Sequence, residues 1–202
     1  VERPNGVSPF LLLADHAGRY IPRALGTLGL EPCDLNRHIA WDIGVAGLGR
    51  RLSAALDATF IAQRYSRLVI DCNRDPARPD SIPEVSDGSA IPGNRSLTEE
   101  QRAARIETVF APYHARIAAE LDARAELGVP TIVVALHSFT PVMQAFARPW
   151  SFGVLHLGGS PFSDAMLAQL RALPGAPEVG DNEPYRMDNV DFTIPHHAIG
   201  RG

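Results

Sequence analysis

The apolar positions of this chain fall into short uninterrupted runs and into helical stripes, and the runs end in polar residues capable of chemistry. Thr131-Ile132-Val133-Val134-Ala135-Leu136 is rich in β-branched residues and stops abruptly at His137-Ser138. Such a run predicts a strand buried on both faces, as in a parallel sheet covered by helices. Phe10-Leu11-Leu12-Leu13-Ala14 repeats the pattern and ends in Asp15-His16, and Leu68-Val69-Ile70-Asp71 ends beside Asn73-Arg74. Ligands of open α/β sheets bind outside the carboxyl ends of the strands. Three such strands would therefore deliver two histidines and an Asn-Arg pair to one sheet edge.

Between these runs the period changes. Ile43, Ala46, Leu48, Leu52 and Leu56 suit an amphipathic helix from Asp42 to Leu56, with Asp42 in its first turn, where the helix dipole favours a carboxylate. Residues 59–63 and 66–71 read as two strands, and the Pro-rich stretch 75–96 as a long loop walling a pocket. Ser96-Leu97-Thr98-Glu99 has the form of a capping box opening a long helix, whose apolar positions run from Ala103 through Ile106, Phe110, Tyr113 and Ile117 to Leu121. Pro112 should kink that helix, because it lacks a backbone donor, and Gly128 with Pro130 should end it. A strand at 152–157 and a helix at 162–172 follow, and the chain after Gly175 reads as irregular. The alternation predicts an α/β fold with a mixed, mostly parallel central sheet flanked by helices, in a single domain over residues 1–202.

Composition changes this picture little. With 202 residues and 45% apolar content the chain can fill one substantial core. A net charge of −4 offers no electrostatic reason to expect nucleic acid or an anionic membrane as partner. All 19 basic residues are arginine, which excludes a catalytic or phosphate-cradling lysine within these 202 residues. Cys33 and Cys72 support neither a disulfide framework nor a thiolate zinc cluster. No stretch approaches the roughly 20 apolar residues that span a bilayer, and no signal peptide opens the chain, so the expected setting is cytoplasmic.

His16 and His137 stand apart from the other histidines because both follow buried strands at the expected binding edge. Two imidazoles and one carboxylate make a catalytic zinc site that leaves a position open for water. Asp15, beside His16, and Asp42 are the available carboxylates, and spacing alone does not choose between them. His38 reads equally as a surface or a supporting residue, His114 as a core histidine beside Tyr113, and His156 as structural. His196-His197 are neighbours that point apart. Arg74 beside Asn73, with Arg67 upstream, suits a substrate carboxylate, since a guanidinium binds carboxylates bidentately. Pairing of Arg74 with Asp71 or Asp75 is the competing reading. Ser138 forms no triad with His137, because strand neighbours face opposite ways. Gly-x-Ser-x-Gly and Gly-x-Gly-x-x-Gly are both absent.

Taken in order, Asp15-His16-Ala17-Gly18 with Ile21-Pro22, His38 to Gly44, Ser66 to Arg74, Pro112-Tyr113-His114, Leu136 to Pro141 and Gly180 to Tyr185 resemble the N-formylglutamate amidohydrolase family. The resemblance covers nearly the whole chain and implies a zinc-carboxypeptidase-like fold. It implies zinc held by His16, Asp42 and His137, with Asp15 as the fallback ligand. Asn73, Arg74 and Ser138 would bind substrate, Arg67 would stabilise the oxyanion, and Tyr185 would close over the site. Its substrate would be a small N-acyl amino acid such as N-formylglutamate. The chain departs from the carboxypeptidase pattern at Arg19, where a ligating Glu would stand three residues after the first histidine. A late Glu-x-Arg motif, whose Glu would be the general base, does not occur up to Gly202, so the domain is expected to lack its C-terminal segment. Glu183 is a weaker candidate base. A non-catalytic small-carboxylate-binding protein, or a metal-dependent peptidase or esterase, are the alternatives.

Overall fold

Phe10–Ala14 forms strand β1, and in this computed structural model, which describes residues 1–143, 145–175, 177–188 and 190–201, it is the centre of a three-stranded parallel sheet. It pairs on one side with β2, Thr59–Ala62, and on the other with β5, Ile132–Ala135. Leu11, Leu12, Leu13 and Ala14 are all buried, as an apolar run with both faces covered requires. β5 departs from the expected double burial. Its four residues are only half-buried, because it has a strand neighbour on one side alone among the described residues.

Helix α1, Val45–Leu56, packs on β1 and β2, with Val45 joining Leu12, Ala14 and Phe60 in a small core. On the other face a larger core gathers Leu11, Leu13, Leu68, Ile70, Ile117 and Leu121. Its helical wall begins with α2, Glu99–Arg105, and continues as α3, Ala111–Glu126. Between them, residues 106–110 form a single π-helical turn, closed by the Ala111 N–H donating to the Ile106 carbonyl. This turn is the irregularity expected at Pro112, whose ring crowds the preceding turn and which has no N–H to give. Thr98 caps α2 by accepting from the Gln101 N–H, while the Gln101 side chain accepts from the Thr98 N–H. The capping box thus sits two residues beyond its expected start at Ser96. Gly128, at φ +66°, follows the end of α3.

Two other expectations are corrected. Residues 66–71 form no strand, although Leu68, Val69 and Ile70 are fully buried. Their backbone is satisfied by side chains instead: Asn94 donates to the Leu68 carbonyl, Arg105 to the Val69 carbonyl, and the Leu68 N–H donates to Ser66 Oγ. The second concerns Asp42, which precedes α1 rather than opening it. Its N–H donates to the His16 carbonyl, and Gly44 at φ +88° turns the chain before the helix starts. The Pro-rich stretch 75–96 carries a short hairpin, β3 (Val85–Ser86) with β4 (Ser89–Ala90), turned at Asp87-Gly88, where both residues have positive φ.

These elements belong to the first of two compact units, Val1–Ser138 with Phe192–Gly202; the second is Phe139–Asp191. The second unit holds a hairpin of β6 (Val142–Met143) and β7 (Phe146–Ala147), and a parallel pair of β8 (Phe152–Val154) and β9 (Val179–Asp181). Helix α4, Pro161–Arg171, packs on β8 and β9. A short helix α5, Thr193–His197, returns the chain to the first unit, where irregular chain was expected. No helix among the described residues is long and apolar enough to cross a membrane.

Candidate metal centre

Because β1 and β5 are parallel neighbours, the residues after their last positions emerge at one edge. The Leu136 N–H still donates to the Leu13 carbonyl, so Asp15-His16 and His137-Ser138 leave the sheet in register. The two imidazoles meet edge-on, with ring centroids 5.0 Å apart. Asp42 reaches them from the segment before α1, held there by its backbone bond to His16. His16 Nδ1 lies 3.7 Å from Asp42 Oδ1 and His137 Nδ1 lies 3.0 Å from Asp42 Oδ2. One ligating atom from each of His16, Asp42 and His137 lies within 4.8 Å of the others, a grouping that could hold a metal ion. Ser138 adds its N–H, donated to Asp42 Oδ2 at 3.1 Å.

Behind each imidazole stands a second carboxylate. His16 Nε2 is 2.7 Å from Asp71 Oδ1, and His137 Nε2 is 3.3 Å from Asp15 Oδ2. With its Nε2 proton given to Asp71, His16 presents a lone pair on Nδ1, a buried atom with no hydrogen-bond partner. Carboxylates in this position fix the tautomer of a metal-ligating histidine and raise its basicity. Asp15 is itself oriented by the hydroxyls of Tyr113 and Thr193, both donating to Oδ1. It stands against His137 on the side away from Asp42, and the grouping that could hold a metal is His16, Asp42 and His137.

The electrostatics match this donor set. Asp15, Asp42 and Asp71 bring three carboxylates around two imidazoles and one guanidinium. Arg67 lies 2.6 Å from Asp71 and 3.6 Å from Asp42. Arg74 also acts on Asp71, but with neutral imidazoles the three carboxylates still outnumber the two guanidiniums, and the excess negative charge suits a dication. Without one, the imidazoles take up protons. The His137 side chain is 35% exposed, so loss of water only partly opposes its charging, and hydrogen bonding to Asp15 and Asp42 lifts its pKa to about 10. His16 is raised as well: burial and Arg67 oppose its charging, and Asp71 and Asp42 outweigh them. Burial raises the carboxyl pKa of Asp42 and of Asp71, yet the facing cations hold both below the ordinary range.

The remaining candidates are less closely gathered. The side-chain oxygen of Asn73 accepts the N–H groups of Phe192 and Thr193, so this residue secures α5. Arg74 donates to the Asn73 carbonyl and approaches Asp80 at 3.9 Å. Tyr185 lies in the second unit, half-exposed, with its hydroxyl accepting from Arg148. His38 lies 3.4 Å from Asp87, outside the cluster, and His156 pairs with Asp181 within the second unit. His114 donates from Nε2 to the Cys72 carbonyl, so its Nδ1 accepts from His197. Burial depresses the pKa of His114 and of His197 to about 4, keeping the pair neutral.

A profile of the N-formylglutamate amidohydrolase family matches residues 8–202, which is essentially the whole chain. The chain belongs to this family. N-formylglutamate amidohydrolases are hydrolases acting on amide bonds, so the cluster at the sheet edge is the candidate centre of a hydrolase with a small-molecule substrate. The crystal structure of a gene product from Agrobacterium tumefaciens is similar at 39% identity and a TM-score of 0.94, covering 100% of this chain and 79% of that one. No curated protein matches the chain.

Reading the sequence alone left out the supporting roles of Asp71, Tyr113 and Thr193. Asp71 was visible within the Asp71-x-Asn73-Arg74 motif, but its 55-residue separation from His16 hides the contact. Tyr113 was visible as a core tyrosine needing a partner. Nothing near Thr193 in the sequence marks it.

Proposed function

We propose that the chain is a zinc-dependent amidohydrolase that cleaves a small N-acyl amino acid, most simply N-formylglutamate, on a zinc-carboxypeptidase-like fold. The observation that carries this reading is the donor set. His16, Asp42 and His137 converge in a group where carboxylates outnumber guanidiniums, each imidazole backed by its own carboxylate. His16 and His137 with one carboxylate are the donor types of a three-ligand hydrolytic zinc site. Zinc bound there supplies Lewis-acid polarisation of the amide carbonyl and lowers the pKa of a water to about 7.

The protein's own residues do the rest. Asp71 and Asp15 hold the two imidazoles in place and keep their metal-facing nitrogens basic. Arg67, braced by Asp71, puts a fixed positive charge beside the cluster, where it stabilises the oxyanion as the amide carbon becomes tetrahedral. Arg74, with Asn73, binds the substrate carboxylate and fixes the amide near the metal, and Ser138 lines the same edge. In this reading residues 1–202 act as one metallohydrolase-like domain.

Plasma mass spectrometry of the purified protein and of His137→Ala tests the proposal. About one zinc per chain in the wild type, lost in the variant together with release of formate from N-formylglutamate, is the expected result. A wild type that stays metal-free after zinc loading and desalting would sink it and favour a non-catalytic carboxylate-binding protein. A zinc-loaded protein inert towards N-formylglutamate but active on peptides or esters would keep the centre and replace the substrate.

A further inference from the structure

A cavity of about 580 Å³ lies in the first unit and shares no residue with the metal cluster. Leu25, Leu28, Val69, Leu97 and Val109 supply much of its wall, and Arg105 is the single charged residue among its lining. That arginine is out of the ordinary. It is 4% exposed, and its guanidinium donates only to neutral acceptors: the Val69 carbonyl at 2.9 Å, Asn94 Oδ1 at 2.7 Å and the Gly93 carbonyl at 3.0 Å. Its Nε is buried without an acceptor. Among the described residues no carboxylate lies within ion-pair distance of it, and the nearby Arg102 has the same sign.

Arg124 provides the comparison within this chain. It is 6% exposed, and it meets the Glu120 carboxylate at 3.1 Å. Arginine is almost never buried unless it is paired, because an uncompensated charge is costly to remove from water. Arg105 is therefore a buried cation without its anion, set in the wall of an apolar cavity of ordinary ligand-pocket size. The π-helical turn begins at the next residue and contributes Thr108 and Val109 to the same wall. Such turns recur at functional sites.

We propose that this cavity binds a small amphipathic monocarboxylate, its apolar chain among the leucines and its carboxylate supplying the counter-charge that Arg105 lacks. The ligand is separate from the substrate of the metal cluster, so the site is a second one.

Calorimetry with octanoate and its neutral isostere octanamide tests this on the full chain, with and without zinc. Octanoate is expected to bind with a Kd of about 0.1–1 mM, octanamide at least about tenfold more weakly, and zinc should leave both unchanged. Ala104→Trp places an indole at the exposed helical wall of the cavity and removes no side-chain hydrogen bond. It should weaken octanoate about tenfold or more while zinc content and amidase activity stay at wild-type levels. Equal affinity for octanoate and octanamide, no octanoate binding, or binding unaffected by Ala104→Trp would each overturn the proposal. So would a concentration-dependent dimer that Ala104→Trp dissociates, which would make the cavity a contact between copies of the chain.

Discussion

Asp71 shows how much of this site depends on a residue that would not itself touch a metal. One of its oxygens meets His16 Nε2 and the other holds Arg67, so a single carboxylate orients both an expected ligand and the expected oxyanion stabiliser. In Asp71→Asn the amide keeps nearly the same shape but loses the charge. An amide that donates to His16 Nε2 would also favour the wrong tautomer, leaving the proton on Nδ1. Zinc affinity should fall 10–100-fold in a chain that stays folded, as read by competition with a chromophoric chelator. Unchanged affinity would show that His16 is held by the sheet alone. This dependence was only half legible in the sequence. The strand-end position singled out His16 and His137, but the carboxylates behind them arrive through folding, from 55 residues downstream for His16 and 122 residues upstream for His137.

At the level of elements, the apolar runs at Phe10–Ala14 and Ile132–Ala135, each with a polar stop, were legible because a parallel strand needs little besides burial and a ladder partner. The run at Leu68–Ile70 looks the same but folds otherwise, since Asn94 and Arg105 take the carbonyls that a neighbouring strand would have taken. A short apolar run announces burial, and its partners decide its shape. Asp87-Gly88 could have announced the hairpin hidden in the long loop. Helix α1 makes a sharper case, with two glycines that its stripe of apolar residues does not explain. A Cβ on Gly49 would lie 2.2 Å from Phe60 Cζ, in the buried contact between α1 and β2, whereas a Cβ on Gly47 would meet nothing within 4 Å. Alanine gains up to about 1 kcal/mol over glycine inside a helix, and overpacking a core costs about 1–3 kcal/mol. Gly47→Ala should therefore stabilise the chain and Gly49→Ala destabilise it in urea denaturation. The same sign for both would mean that the packing of α1 on Phe60 is looser than the contact implies.

Across the whole molecule, a metal ion bound at the cluster would compete with protons for the same charge. His137 has its folded pKa lifted from 6.5 to about 10 in the metal-free chain. The folded state thus holds a proton that the unfolded state has released throughout the window between those values. This contribution to stability is fully present below pH 6.5, and it is lost as pH rises through about 10. The melting temperature of the metal-free protein should therefore decline across that window, beyond any decline in His137→Ala. Zinc would reverse the balance, because a ligating imidazole must give up its extra proton. At pH 8, loading should release at least about one proton per ion and raise the melting temperature. Calorimetric zinc titrations in two buffers of different ionisation enthalpy count that proton directly. Tight zinc binding with no proton release would mean that His137 is already neutral in the metal-free chain. The excess negative charge would then be balanced by something other than imidazole protonation, and the zinc affinity would not climb with pH as the competition requires.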